Sequence, residues 1–163
     1  MSVDLALAKQ QCRVDGNEED ALITVYLAGA VAWVENFTDK LLTRREVEQI
    51  EDRFRSPLPL MRGPLPDEIT IEYIDADGVV QEITDASLVG PRLFYPAGWP
   101  SVAPATEVTV RYTAGFVETP SDLDAAVLLL VGEYYANREA GVCSPATTAA
   151  VEALCRPYRS VRL

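Results

Sequence analysis

Four carboxylates, Glu18, Glu19, Asp20 and Glu35, and the run Asp75-Ala76-Asp77-Gly78 have the types and spacing to hold a metal ion or to act as a carboxylate pair. A calcium loop that starts at Asp75 needs a glutamate at its twelfth position, and that position is Ala86. Asp-Ala-Asp-Gly is also what a tight hairpin turn needs, because its residues tolerate positive φ. The acids at 18–20 stand where a helix begins, where negative charge favours the positive end of the helix dipole, and Glu35 stands near that helix's end. The hairpin turn and the helix ends are the plainer readings.

Most other catalytic chemistry has no residues to carry it. The chain has no histidine, which excludes Ser-His-Asp and Cys-His catalysis and histidine metal sites. It has neither a GxxxxGK[ST] phosphate loop nor a GxGxxG dinucleotide turn. Cys12, Cys143 and Cys155 are an odd number without CxxC spacing, as expected of small buried thiols in a reducing setting. The expectation is a protein that is not an enzyme and carries no cofactor and no metal.

The elements that position these residues fall into helical, β-rich and helical thirds of a 163-residue chain, read as one domain. Val3 to Cys12 fits a short helix with Leu5, Ala8 and Cys12 on one face. A second helix runs to about Thr38, with Leu22, Tyr26, Gly29, Trp33 and Phe37 as its stripe. Its uncharged part, Ala21 to Val34, is too short to cross a bilayer and predicts a buried core helix, with no membrane partner. MSVDLALAKQQ lacks the basic and apolar regions of a secretory signal, and the sequon Asn36-Phe37-Thr38 is then a chance match. In LLTRREVEQIEDRF, Val47, Ile50 and Phe54 have helical spacing, although Pro57 and Pro59 follow closely. The helical parts are thus 1–56 and 119–163, around a β-rich insertion at about 57–118. Within the insertion, ITIEYIDADGVVQEI predicts a hairpin, EVTVRYTAG a half-buried strand, and RLFYPAGWPSVAPAT a loop or short strand rich in aromatics. Thr119-Pro120-Ser121-Asp122 predicts an N-capped helix start, and a last short helix spans about Pro145 to Cys155, limited by Pro157.

The helix at 119–139 carries the strongest functional hint. Val127 to Val131 is apolar on every side, and a helix apolar all round is buried all round. Leu123, Val127, Leu130 and Tyr134 form the stripe expected to face the core. Leu128, Leu129 and Tyr135 lie off it and need a second cover, either the chain's own β section or another subunit. Tyr134, Tyr135 and Arg138 combine apolar area with a polar handle, as interface residues do. Charge is uneven: residues 1–90 hold 18 acids and 8 bases, residues 91–163 hold 7 and 6, and the net charge is −11. The tail RPYRSVRL holds Arg156, Tyr158, Arg159 and Arg162 and no acid, which suits docking on an acidic surface such as the next copy of the chain. An ordinary solvated tail accounts for it equally well.

The order of LALAKQQCRVDGNEEDALITVYLAGAVAWVENFTDKLL, ITIEYIDADGVVQEI, GWP, VTVRYTAGF, TPSDLDAAVLLLVGEYYANRE and VEALCRPYR resembles the head–tail connector (head-completion adaptor) family of tailed bacteriophages, in the version with a β-rich insertion. RREVEQIEDRF departs from it, since relatives place a strand there. The resemblance implies an α+β fold, a small helical bundle with an inserted hairpin or small sheet. It implies a structural protein of the virion's head–tail junction, assembled in the host cytoplasm. Such adaptors form a ring, commonly of twelve copies, that contacts the portal protein and a tail or stopper protein. DNA passes through the ring without specific binding, and an acidic body suits that passage because a basic lining would grip phosphates. The acidic composition also admits a DNA mimic that inhibits a nucleic-acid-binding partner, and the carboxylates admit a metal-dependent enzyme as a third reading.

Overall fold

Asp4 opens the first helix by accepting a hydrogen bond from the Leu7 amide at 2.8 Å, which satisfies one of the donors that a helix start leaves free. In this computed structural model, which describes residues 3–64, 67–138 and 144–159, the chain divides into a helical unit (1–43 with 116–163) and a β unit (44–115). The helical unit contains α1 (Leu5–Cys12), α2 (Asp20–Thr38), α3 (Ser121–Ala136) and α4 (Pro145–Cys155), followed by a 3-10 turn over Arg156–Tyr158. α4 thus ends at Cys155, as predicted from Pro157, and the chain tightens into that turn. The α+β class predicted from the sequence is the one observed.

α3 packs against α1, α2 and α4. Its Leu123, Ala126, Val127, Leu130 and Val131 are buried among Ile23, Ala30 and Val34 of α2 and Val151 and Cys155 of α4. The four larger side chains of α3 contribute roughly 6–12 kcal/mol by leaving water. The stripe Leu123-Val127-Leu130-Tyr134 does face this core, with Tyr134 half-buried at its end. Burial pushes the Cys155 thiol up to about 11. Cys12 is half-buried, and Cys143 lies outside the described residues.

On α2 the sequence reading is off by one residue. The buried line is Ile23, Ala30, Val34 and Thr38, with Leu27 packed beside it. The aromatic stripe read from the sequence lies on the flank, where Trp33 and Phe37 stack at 5.1 Å. Nor is α2 a fully buried core helix: Ala21, Thr24, Val25, Ala28 and Ala32 are exposed. Glu35 is buried and accepts a hydrogen bond from the Leu42 amide at 2.9 Å, which turns the chain after the helix.

The start of α3 also differs from the predicted cap. The helix begins at Ser121, Pro120 occupies the cap position, and no side chain caps it. The buried Thr119 hydroxyl instead donates to the Leu42 carbonyl at 2.9 Å, tying the entry of α3 to the exit of α2. α3 and α4 are joined by Glu133, which accepts from the Ser144 amide and the Thr147 hydroxyl, each at 2.7 Å. Ser144 in turn caps α4 by accepting from the Thr147 amide at 3.2 Å.

The β unit holds a four-stranded antiparallel sheet in the order β1-β7-β3-β4 (Arg45–Glu51, Val108–Ala114, Asp67–Ile74, Val80–Ile83). A second sheet has the order β2-β6-β5 (Leu58–Pro59, Arg92–Phe94, Ser87–Val89). The predicted hairpin is β3–β4, and in β7 the residues Val108, Val110, Tyr112 and Ala114 alternate inward as expected. RREVEQIEDRF is strand β1, not helix. Its inward face carries Val47, Gln49 and Glu51, while Ile50 points out and is 53% exposed. The Gln49 amide donates to Glu51 and to the Pro59 carbonyl and accepts from the Met61 amide, so two buried polar residues replace the apolar alternation. The RLFYPAGWPSVAPAT segment supplies β6, and its Tyr95 and Trp99 cluster with Phe54 and Tyr73.

Two predictions follow from these joints. Thr119→Val leaves the Leu42 carbonyl without its partner and lowers the stability of the helical unit by about 1–2 kcal/mol in chemical denaturation. Hydrogen bonds, that from the Ser144 amide first, hold the Glu133 carboxyl below its ordinary range. Its contribution is therefore present above the unfolded carboxylate pKa and is lost as the pH falls through the folded value. The melting temperature of Glu133→Gln should lie below that of the parent at neutral pH, and the gap should close in acid.

Candidate functional site: the outer surfaces of the helical unit

The residues singled out at the end of α3 are drawn into the bundle to different degrees. Leu128 is half-buried against the core, whereas Leu129 remains 37% exposed. Tyr134 faces Tyr26 of α2, with ring centres 6.1 Å apart. Tyr135 donates its hydroxyl to Glu19, and Arg138 pairs with the same carboxylate at 2.7 Å while lying 4.2 Å over the Tyr135 ring. The Tyr135 hydrogen bond, ahead of the Arg138 charge, holds Glu19 below the usual carboxylate range. This triad ties the end of α3 to the start of α2. A groove of about 290 Å³ beside it is lined by Val25, Tyr26, Gly29, Tyr134 and Arg138.

The start of the basic tail also lies against its own bundle. The Tyr158 hydroxyl donates to Asp122 at 3.2 Å, and its ring meets Phe116 edge-on. Arg159 stands 5.3 Å over the Phe37 ring. Arg156 is exposed, and Arg162 lies outside the described residues.

Three of the four acids around α2 with possible metal chemistry are engaged elsewhere. Asp20 pairs with Lys9 at 2.6 Å, Glu19 with Arg138, and Glu35 with the Leu42 amide, while Glu18 is exposed. Asp75 accepts from the Asp77 and Val79 amides, each at 3.0 Å, and from Gln81, and Gly78 takes a φ of 82°. That is a hairpin turn closed by its own aspartate. On the open face of the larger sheet, Arg111 bridges Glu48 and Glu72 at 3.0 Å each, so two of the sheet's acids are neutralised within the chain.

Sequence reasoning passed over two other surfaces. Ala21, Val25, Ala28 and Ala32 form an exposed, uncharged face of α2, and Val25 is 66% exposed. Ala146, Ala149, Ala150 and Ala153 form a similar face of α4. The signal was present in α2 as a charge-free run longer than one buried face requires. These faces are surfaces suited to packing.

Residues 2–59 match the family model described as phage gp6-like head-tail connector protein. No curated protein matches the chain by sequence. Among solved structures, a chain from the neck of an empty gene transfer agent (GTA) particle computed with C6 symmetry superposes with a TM-score of 0.85 at 27% identity, covering 99% of this chain and 91% of that one. A chain from the virion of a native GTA particle gives 0.81 at 28% identity, covering 99% and 91%. One from the neck of a native GTA particle computed with C12 symmetry gives 0.76 at 28% identity, covering 100% and 94%. The chain is thus similar to phage gp6-like head-tail connector proteins in sequence over residues 2–59, and to proteins of gene transfer agent necks and virions in fold over essentially its whole length.

Proposed function

We propose that this protein is a head–tail connector that works as a ring of twelve copies between the portal protein and a tail or stopper protein, extending the channel through which DNA passes. The observation that carries this reading is the match, over 99–100% of the chain, to proteins of particle necks computed with C6 and C12 symmetry. The physical features are consistent with it. A net charge of −11 disfavours adhesion of the sliding DNA, because binding to phosphate needs Lys and Arg to displace counterions. Exposed Arg156, with Arg159 and Arg162, gives the chain a basic end with which to dock on an acidic neighbour. The 119–139 helix contributes Leu129 to packing between copies, with Leu128, Tyr134, Tyr135 and Arg138 near that contact and Tyr158 beside the tail. Work is done by surface burial, without a catalytic step, a cofactor or a membrane.

Particles produced without this protein should accumulate as DNA-filled heads with no tail attached, seen by negative-stain microscopy. Normal tailed particles would contradict the adaptor role. Replacing Arg156, Arg159 and Arg162 together with alanine should weaken assembly into particles while the purified monomer keeps its helical circular dichroism. Unchanged assembly of that variant would remove the tail from the docking surface.

A further inference from the structure

We infer that neighbouring copies meet by packing the outer face of α2 of one copy antiparallel against the outer face of α4 of the next. This rests on the ring reading above and names the surfaces that would close the ring.

The two faces match in chemistry and size. Ala21, Val25, Ala28 and Ala32 recur at helical spacing on α2, span about 16 Å at the helical rise, and include no charge. Ala146, Ala149, Ala150 and Ala153 on α4 span about 10 Å and are likewise uncharged and exposed. Small side chains on both partners let two helix axes approach to the short end of the usual 8–10 Å range. Val25 then supplies the bulk that seats against the alanines of α4.

The ends of the two faces fix the direction. Asp15 and Glu18 are exposed just before α2, against the single cation Arg13. Glu19 and Asp20 are already held by Arg138 and Lys9. Arg156 and Arg159 are exposed just after α4. An antiparallel crossing brings the acidic start of α2 beside the basic end of α4, and a parallel one does not. The helix dipoles favour the same arrangement, with the positive end of α2 next to the negative end of α4. A second copy of this chain supplies both the small uncharged face and the opposite charge. The two faces differ, so each contact is heterologous and leaves a free α2 face and a free α4 face to propagate into a closed ring.

The test uses the full chain with Ala28→Glu on α2 and Ala150→Glu on α4, exposed positions where glutamate is a good helix former. In light scattering over a concentration series, the parent should grow into a closed oligomer. Each variant alone should remain at monomer mass with unchanged circular dichroism. An equal mixture of the two should form a dimer and nothing larger, because each mixed pair retains one intact α2–α4 contact. Val25→Ser and Ala149→Gln form a second pair that gives the same reading if a glutamate variant loses its helical signal. Variants that oligomerise like the parent overturn the inference, as does a mixture without dimer. A parent that stays monomeric also overturns it, including one that instead co-floats with phosphatidylcholine vesicles. None of these results bears on the tailless phenotype by which the adaptor reading itself is judged.

Discussion

Helix α3 is not buried all round, since Ala125 and Leu129 are exposed, but it must hide a broad arc of apolar side chains from water, and the arrangement of the helical unit follows from that. Leu123, Ala126, Val127, Leu130 and Val131 cover more of its circumference than one neighbouring helix can bury, so α1, α2 and α4 all pack on it. Each surrounding helix gives one face to α3 and keeps the other. Polar contacts then set the ends: Thr119 to the Leu42 carbonyl, Glu19 to Tyr135 and Arg138, Glu133 to Ser144 and Thr147. With the ends fixed, the outer faces of α2 and α4 have defined positions, which a docking surface requires.

The β unit solves a different problem with different means. Its sheet carries a polar hub on the inner face, where Gln49 bonds to Glu51, Pro59 and Met61 and so holds the segment after β1 in place. Buried polar groups of this kind are tolerated because their hydrogen bonds are made. On the opposite face Arg111 is shared between Glu48 and Glu72, across three adjacent strands. The chain's acidity is therefore locally organised, with cations placed where strands bring carboxylates together.

Much of this was legible in the sequence where one face of an element is apolar and the other polar. β7 shows it directly, and so do the hairpin turn at Asp75–Gly78 and the last helix, whose Ser144-Pro145 start is well marked. The errors share a cause. In β1 the buried positions are Gln49 and Glu51 while the apolar Ile50 is exposed, which leaves an apolar spacing that imitates a helix. In α2 nearly every residue is apolar, so periodicity could not distinguish the Ile23 line from the Leu22 line one residue away. The Thr119 hydroxyl was assigned to a local cap because sequence shows only neighbours, and its partner Leu42 is 77 residues distant. Tyr135 and Arg138 stood out as interface types, yet their bonds to Glu19 depend on how α3 crosses α2. The alanine faces escaped notice because alanine says little until its exposure is known.

The central proposal is that this protein sits as a closed ring in the neck of the particle. A reconstruction of the neck of particles carrying this protein, computed without imposed symmetry, tests it most directly. The account predicts twelve copies of the fold in a closed ring around the DNA channel, between portal and tail. Density for the chain outside the neck, or as separate copies with no closed ring, would contradict it.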